Sequence, residues 1–255
     1  YDWWLQDGQD AKNEKDGKDV NWFRGTLSRQ LSMRLQKLNV TTTVNDTPES
    51  ITAAFQAYLK ACEARRAKRL ASFTANSPEI VFTKFRTLRP SFFAYTEGAS
   101  DARAECNYIA GGTLSKIKMN GIWAEEETLM TDEDGVYRDP NLHFDGQHLL
   151  FSWKKSAKED DFHLYEMDLK TRDIKQLTFG KGHADIEGIY LPDENILFNS
   201  TRCGSAVDCW FTEVSNMYLC DREGRYMRQV GFDQVHTVTP TLLDDGRIVY
   251  TRWDY

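Results

Sequence analysis

The chain has 255 residues, of which 40% are hydrophobic, 28% charged and 13% aromatic, a composition typical of one or two folded domains. It excludes collagen-like and disordered classes, and because no run of roughly eighteen apolar residues occurs, a membrane-spanning helix is not expected. The net charge of −7 opposes binding to a phosphate backbone, so we expect no nucleic-acid partner. Seven Trp, eleven Tyr and fourteen Phe favour a sheet-rich core.

The cysteines and the N-terminus bear on cofactors and on processing. The five cysteines match no zinc-ribbon spacing, and the sequence has no Cys-x-x-Cys-His motif, so it predicts no covalently attached haem. The sequence begins at Tyr1 without a charged and apolar leader, which indicates a processed protein or a segment cut from a longer one.

Helical spacing dominates residues 1–75, which we interpret as an α-helical N-terminal extension. One amphipathic helix is predicted within 23–39 from leucines at helical intervals, namely Leu27, Leu31, Leu35 and Leu38. A second helix is predicted to begin at Pro48, with Asp46 and Glu49 as a capping box. Its apolar face would hold Ile51, Phe55, Tyr58, Leu59 and Cys62. Two helices alone bury too little apolar surface, so we expect them to pack on a larger domain.

From residue 79 onward the period changes to two, and one phrase recurs: a turn with Asp or Gly, an apolar strand ending in a small polar residue, a loop, a strand ending in Asp, and a third strand. The clearest copy has strands at 149–153, 163–168 and 175–178. The next copy has strands at 196–200, 217–221 and 227–230. A third copy begins with 248–252, and a degenerate earlier one combines 80–83 with 114–117.

The spacing of these copies predicts a β-propeller. Phe151, Phe198 and Tyr250 stand at equivalent positions 47 and 52 residues apart, at the long end of blade lengths. A meander or a sandwich with coincidental turns is the alternative. The predicted fold is therefore mainly β, a partial β-propeller of about three to four blades at 79–255 after the helical extension.

The strings around these strands resemble two related propeller families. The phrase from Asp145-Gly146 through Phe151-Ser152 to Leu164-Tyr165-Glu166-Met167-Asp168 and Gln176-Leu177-Thr178 resembles the blades of TolB-like propellers. Longer strings outside that consensus resemble the propeller region of hydrazine synthase alpha subunit-like proteins: Arg138-Asp139-Pro140, Trp153-Lys154-Lys155-Ser156, Asn199-Ser200-Thr201-Arg202-Cys203, Asp208-Cys209-Trp210, Gly231-Phe232-Asp233-Gln234-Val235-His236 and Tyr250-Thr251-Arg252-Trp253-Asp254-Tyr255.

The resemblance covers residues 79–255 and is dense after 136. It implies a propeller in an exported bacterial protein, periplasmic or extracellular, with relatives in bacteria that degrade polysaccharides. It does not imply hydrazine chemistry, because that enzyme works with c-type haems and this sequence has no attachment motif. The resemblance therefore says more about fold than about reaction.

A candidate ligand site follows from the propeller prediction. The first strand of each blade lines the central channel, so residues just before those strands are expected to gather at one opening. Aligned copies place there Arg138 and Asp139, then His183, Asp185 and Glu187, then His236. Imidazoles and carboxylates together suit a divalent metal held by His183, Asp185 and His236, or a base and an electrophile in sugar chemistry. The alternative is that these groups hydrogen bond neighbouring blades.

A second candidate is the insertion at 201–213. Cys203 and Cys209 close a short loop that permits a disulfide in an oxidising compartment, with free thiols or a metal pair as alternatives. Arg202 and Glu213 flank this loop as candidates to pair with each other or with a ligand carboxylate. Trp210 is a candidate platform for a sugar ring, or a core residue.

The remaining polar clusters are predicted to be solvent-exposed or structural. The mixed-charge run 154–163 is typical of a solvated hairpin loop, with a cation site at Asp160, Asp161 and His163 as the alternative. We expect His143 and His148 to be surface residues. The turn aspartates are expected to bind backbone amides, namely Asp145, Asp193 and Asp245.

Two classes of function stay open. In the first, the chain is a binding or scaffold module for a glycan, a protein partner or other domains of the same longer chain. In the second, it is a metal-assisted polysaccharide lyase or hydrolase, or a redox enzyme whose cofactor lies in a missing segment. Because propellers typically have about four to eight blades and the last copy stops after one strand with an open edge, we expect these residues to be a fragment of a longer chain.

Overall fold

The computed structural model describes residues 25–86, 107–208 and 211–253. These residues form two compact units. The first comprises the described residues up to Pro78 together with Lys118–Glu125, and the second comprises the remaining described residues. Within the described part of the chain, no helix has the length and hydropathy needed to cross a membrane.

The first unit contains two helices, α1 (Leu27–Lys37) and α2 (Pro48–Asn76). The hydroxyl of Thr47 caps α2 by accepting a hydrogen bond from Ser50 N, which satisfies one of the free amides at a helix start. The predicted start at Pro48 is confirmed, but the predicted capping role of Asp46 is wrong. The Asp46 carboxylate instead accepts a hydrogen bond from the Ser28 hydroxyl of α1.

The core of the first unit lies between the two helices. Leu31 and Leu35 of α1 are buried against the small and aromatic face of α2, formed by Ala54, Tyr58 and Cys62. Two residues that the helical pattern placed on the buried faces, Leu27 of α1 and Phe55 of α2, are instead 49% and 39% exposed. Helical periodicity therefore identified the buried stripe but not its width.

The second unit is built from antiparallel sheets. Its thirteen strands, some of whose residues belong to the first unit, are β1 (Glu79–Phe85), β2 (Gly112–Asn120), β3 (Trp123–Asp132), β4 (Val136–Leu142), β5 (His148–Lys154), β6 (His163–Asp168), β7 (Ile174–Gln176), β8 (Asp185–Tyr190), β9 (Ile196–Ser200), β10 (Asn216–Cys220), β11 (Arg228–Gln229), β12 (Thr237–Leu242) and β13 (Ile248–Arg252). The sheets are β1-β2-β3, β4-β5-β6-β7, β8-β9-β10-β11 and β12-β13. We call the two four-stranded sheets blade A (β4–β7) and blade B (β8–β11), and the last pair hairpin C (β12–β13).

The predicted strands are recovered closely. The bounds at 163–168, 196–200 and 248–252 are confirmed, and the two strands of the degenerate copy, 80–83 and 114–117, fall within β1 and β2 of one sheet. Each blade also has an inner strand before its turn, namely β4, β8 and β12. Asp145 and Asp193 bind turn amides as predicted, through Oδ1 to Gln147 N and to Asn195 N.

The sheets pack face to face in chain order, because central strands such as β5 and β9 have apolar side chains on both faces. In β5, Leu149 and Phe151 pack with Leu114 of β2, whereas Leu150 packs toward blade B against Tyr190 and other apolar residues. Blade B repeats the arrangement, with Phe198 toward blade A and Leu197 toward hairpin C. Four-stranded antiparallel sheets stacked in this way are propeller blades, and the fold is a mainly β propeller region.

Gly188 lies at one close approach of the two blades. A Cβ at Gly188 of β8 would come within 2.7 Å of the Leu150 side chain of blade A. Only a residue without a side chain allows the inner strand of blade B to lie this close to its neighbour.

The mixed-charge run 154–163 is less exposed than predicted. Lys154 and Phe162 are fully buried, and His163 is 4% exposed. The Lys154 ammonium lies 5.7 Å from the centre of the Phe162 ring. The carboxylates of Asp160 and Asp161 accept hydrogen bonds from Lys155 N and Gly182 N, so they stabilise this loop as acceptors of backbone amides.

Candidate functional site

The three inner strands share one backbone irregularity. The register of each shifts at a bulge, between Arg138 and Asn141 in β4 and at the equivalent places in β8 and β12. At each bulge one residue other than glycine has positive φ: Asp139 at 54°, Glu187 at 58° and Thr239 at 51°. We call these three residues the bulge series. A left-handed residue costs about 1–2 kcal/mol, so the surrounding contacts must stabilise it.

The side chains of the bulge series join consecutive blades. Asp139 Oδ2 accepts a hydrogen bond from the backbone N–H of Glu187, 3.1 Å away and 48 residues further on. Glu187 Oε2 accepts one from the N–H of Thr239, 2.6 Å away and 52 residues further on. In both cases a bulge carboxylate of one blade binds the bulge amide of the next. The repeat period therefore reappears as a chain of hydrogen bonds along the inner strands.

Arg138, Asp139 and Glu187 are brought together, as the sequence predicted. The Arg138 guanidinium donates to Asp139 Oδ2 at 2.6 Å, to the Tyr108 hydroxyl at 2.8 Å and to Glu187 Oε1 at 3.4 Å. Burial opposes the charged form of Glu187 and raises its pKa, although Thr239 N and Asn199 Nδ2 donate to it. These contacts agree with the structural alternative, in which the polar residues hold neighbouring blades together.

Asp185 belongs to a second group at the start of β8. Its fully buried carboxylate accepts hydrogen bonds from Ser200 Oγ at 2.6 Å and from Arg202 Nε and Nη2 at 2.9 and 2.7 Å. Burial would raise the pKa of Asp185, but the imidazole of His163, the two hydrogen bonds and charge of Arg202, and Ser200 outweigh it and hold this pKa below its ordinary value. Arg202 therefore pairs with Asp185, whereas the expected partner Glu213 forms a backbone bridge with Ala206.

The proposed metal ligands His183, Asp185 and His236 do not converge. His183 Nε2 lies 3.2 Å from the Phe179 carbonyl, a group that also accepts a hydrogen bond from Arg202 Nη2, so His183 is linked to the Asp185 group through this carbonyl. Among the described residues, a single group of three or more His, Cys, Asp or Glu side chains has its ligand atoms within 4.8 Å of one another, and it is formed by other residues.

His236 has separate contacts at the start of β12. It is 1% exposed, its Nδ1 accepts a hydrogen bond from Ser215 N at 3.2 Å, and its ring stacks on Trp253 at a centroid distance of 5.2 Å. Burial lowers the pKa of His236 from 6.5 to about 4, so the ring is neutral in the folded protein at neutral pH.

This burial predicts an acid-sensitive contribution to stability. Because the folded-state pKa of His236 lies below its unfolded value, its contribution is complete above pH 6.5 and is lost as the pH falls toward 4. We expect the free energy of unfolding to decrease by about 2 kcal/mol between pH 6.5 and 5 through this residue. Urea unfolding of His236→Asn, which keeps an acceptor for Ser215 N, should show a flatter pH profile. His183→Asn is the control, and parallel profiles of wild type and His236→Asn would contradict the assignment.

The predicted disulfide cannot be placed in the same detail, since Cys209 and Trp210 lie outside the described residues. Cys203 Sγ lies 3.1 Å from the Val214 carbonyl, and Gly204 after it adopts φ 67°. The disulfide therefore stays a prediction.

A cluster that the sequence analysis missed lies at the turn between β4 and β5. His143 and His148 flank the Asp145-Gly146 turn, and His143 N donates to His148 O. Asp145 Oδ2 lies 2.9 Å from His143 Nδ1 and 2.7 Å from His148 Nδ1. His143 is 6% exposed, so its prediction as a surface residue is wrong. The pattern His-x-Asp-x-x-His across a tight hairpin was the available signal.

This cluster is joined to blade B by charged residues. His143 Nε2 lies 3.1 Å from Glu194 Oε2, and Arg222 donates to Glu194 and Glu166 at 3.1 Å each. Burial would raise the pKa of Asp145, but hydrogen bonds from Gln147 N, from the His148 imidazole and from His148 N outweigh it and hold this pKa well below its ordinary value. The β4–β5 turn of blade A thus holds a network of ionised, hydrogen-bonded side chains, and we call this turn the corner of blade A.

A pocket of about 580 Å³ opens beside this corner, at the ends of the inner strands. Its walls are mostly apolar or aromatic: Leu142, Phe144, Ile189, Tyr190, Pro192, Pro240, Leu242 and Leu243. The pocket lies where β4, β8 and β12 end, whereas the predicted site residues Asp185 and His236 lie where β8 and β12 start. The concave site is therefore at the opposite end of the inner strands from the predicted one.

Comparisons with solved structures return propeller proteins. The chain is similar to a TolB protein of Agrobacterium tumefaciens (17% identity, TM-score 0.41, 55% of this chain and 50% of that one). It is also similar to the hydrazine synthase of Kuenenia stuttgartiensis (16% identity, TM-score 0.48, 68% of this chain and 27% of that one). A third similar structure is an oligogalacturonate lyase of Vibrio parahaemolyticus (15% identity, TM-score 0.39, 54% of this chain and 40% of that one).

The first two structures carry the names of the families that the sequence resembles. The chain spans about half of the TolB structure and about a quarter of the hydrazine synthase structure. The sequence matches no protein-family model and no curated protein. The stacked four-stranded sheets define the class of protein as a β-propeller, and its function is a separate question.

Proposed function

We propose that this propeller region is a binding module that receives an apolar segment of a protein partner in the pocket at the ends of the inner strands. The observation that carries the proposal is the exposure of three large apolar side chains at that pocket. Leu142, Phe144 and Leu243 are 48%, 62% and 36% exposed, although each lies beside a concave surface. Clustered apolar groups that remain in contact with water at a pocket are typical of an interaction site.

The lining favours a protein segment over a glycan. A sugar needs several hydrogen-bonding side chains, and the polar lining of the pocket consists of Asn141, Thr241 and Asp244. Asn141 Oδ1 already accepts a hydrogen bond from Tyr190 N. The two prolines in the wall, Pro192 and Pro240, have no N–H to donate. A bulky apolar side chain of a partner therefore matches this surface better than a sugar ring.

The proposed setting is an exported bacterial protein, in the periplasm or outside the cell. The support for this part is the resemblance of residues 79–255 to TolB-like and hydrazine synthase-like propellers. Fractionation of the source cells with an antibody against the chain is the direct measurement, and recovery in the cytoplasmic fraction alone would contradict the setting.

Binding can be tested with a peptide display library panned on the purified protein. We expect enriched peptides to share a bulky apolar residue and to bind Phe144→Ser about tenfold or more weakly, because burying such a ring contributes about 1.5–3 kcal/mol. Ile174→Ser is the matched control, since Ile174 is 40% exposed on β7 and does not line the pocket. Peptides that bind both variants equally, or glycan-array ligands that depend on Phe144, would contradict the proposal.

A further inference from the structure

The turn between β4 and β5 combines three side chains that can each ligate a metal ion, at suitable spacing. The ligand atoms of His143, Asp145 and His148 lie within 4.8 Å of one another. A divalent ion such as Zn²⁺ binds nitrogen and oxygen at about 2.0–2.2 Å, which in a tetrahedral site places adjacent ligand atoms about 3.3–3.6 Å apart. The observed separations of 2.9 Å and 2.7 Å from Asp145 Oδ2 to the two Nδ1 atoms are shorter, so the side chains would move slightly apart when an ion binds between them.

The hydrogen bonds around His143 place a lone pair on its Nδ1, and this is the ring atom that a metal ion would bind. A carboxylate accepts from Nε2, so the contact of 3.1 Å with Glu194 Oε2 places the ring proton on Nε2. Asp145 N donates to Nδ1 at 3.2 Å, which also requires a lone pair there. His143 Nδ1 and Asp145 Oδ2 are then two acceptors facing each other, an arrangement that a cation stabilises.

The neighbouring charges favour a cation as well. Four carboxylates lie in or beside the cluster: that of Asp145, which belongs to it, and those of Glu166, Asp168 and Glu194. The guanidinium of Arg222 lies among them. Arg222 donates to Glu166 and Glu194, and its Nη2 is 4.0 Å from Asp145 Oδ2. These groups therefore carry a negative excess when the histidines are neutral.

From this geometry we propose that His143, Asp145 and His148 bind one divalent transition-metal ion, with Glu194 orienting His143. Two imidazoles and one carboxylate suit Zn²⁺, Co²⁺ or Ni²⁺. In the metal-free protein His148 Nδ1–H donates to Asp145, and on binding that proton moves to Nε2, which lies 4.0 Å from Asp168 Oδ2. Three protein ligands leave at least one coordination position for water.

The test is a titration of the purified protein with Co²⁺, followed by visible absorption, and with Zn²⁺, followed by calorimetry. We expect one saturable site whose Co²⁺ spectrum lacks a thiolate charge-transfer band, which separates it from the cysteines. His148→Ala and Asp145→Asn should abolish this site. The amide introduced by Asp145→Asn keeps an acceptor for the backbone N–H groups of Gln147 and His148, so this variant should still fold. Glu194→Gln should weaken binding about tenfold or more, because it removes the charge that orients His143.

Matched controls use the equivalent turn aspartate of the next blade and a distant histidine. Asp193→Asn changes a turn residue without histidine neighbours, and His183→Ala removes an imidazole elsewhere, so both should bind as wild type does. Each variant is first checked by circular dichroism. The proposal is overturned if wild type shows no saturable binding, if His148→Ala and Asp145→Asn bind unchanged, or if the Co²⁺ spectrum is that of a thiolate site.

Discussion

Replacing Glu187 by alanine is expected to destabilise the protein by about 3–5 kcal/mol, because the carboxylate is buried and the buried amide of Asn199, the largely buried guanidinium of Arg138 and the Thr239 N–H lose an acceptor at once. Thr239 N–H and the fully buried amide of Asn199 would have no carboxylate to bind, and Arg138 would lose one of its two anionic partners. Each unsatisfied buried donor costs about 1–3 kcal/mol. The free energy of unfolding in urea measures the total.

The same change should loosen one particular contact between blades. We expect the Thr239 amide to exchange with solvent much faster in Glu187→Ala, because this N–H is one of the donors that join hairpin C to blade B and Glu187 is its acceptor. Glu187→Gln should lose less stability, since it keeps an acceptor and removes a charge whose burial raises the pKa of Glu187. Glu223→Ala, at a glutamate whose side chain is 51% exposed, is the control and should leave stability nearly unchanged. Unaltered exchange at Thr239 in Glu187→Ala would show that the bulge series does not hold the blades.

Replacing Asp185 by alanine is the second large effect, again expected at about 3–5 kcal/mol of lost stability. The variant leaves the guanidinium of Arg202 without its two hydrogen bonds to the carboxylate and leaves the buried Ser200 hydroxyl without an acceptor. Because Arg202 is 21% exposed and can turn toward water, the lower half of this range is expected. Chemical denaturation measures the loss, with the exposed Asp173→Ala as a control that should be nearly neutral.

The ion pair between Asp185 and Arg202 also predicts how the stability of the protein depends on pH. Since the folded-state pKa of Asp185 is held below its ordinary value of 3.8, its contribution is present above that value and is lost as the pH falls through the folded-state pKa. Arg202→Met removes the charge that keeps this pKa low, so acid unfolding should move to higher pH. A double-mutant cycle of Asp185→Asn and Arg202→Met should show coupling of about 1–3 kcal/mol, and additive effects would argue against the pair.

Local patterns were sufficient for the strands and the blades. Short apolar runs bounded by turn residues predicted the strands at 163–168, 196–200 and 248–252, because such runs fit the length of a strand and turn residues end them. The period of 47 to 52 residues between Phe151, Phe198 and Tyr250 predicted the stacking of blades. The inner strands were harder to recognise, because the bulges at Asp139, Glu187 and Thr239 interrupt their alternation.

The candidate sites were predicted only in part. Arg138, Asp139 and Glu187 do meet, since equivalent positions of stacked blades lie side by side, yet they bind one another and the next blade's backbone. Asp185 and His236 were expected to share a metal, but one is paired with Arg202 and the other is buried against Trp253. Which polar residues become hydrogen-bond partners depends on differences of a few tenths of an ångström between atoms. The spacing of residues along the sequence does not predict such differences.

The amino-acid sequence by itself therefore determined the class of fold. The hydrophobic period and the turn residues set local structure through neighbouring positions in the chain, so they can be recognised without knowing the tertiary packing. Tertiary structure alone decided which ends of the inner strands enclose a pocket and which histidines face a common carboxylate. His143, Asp145 and His148 converge because a hairpin turn brings two strands together, and Leu142, Phe144 and Leu243 surround a pocket because strands about fifty residues apart end on the same side.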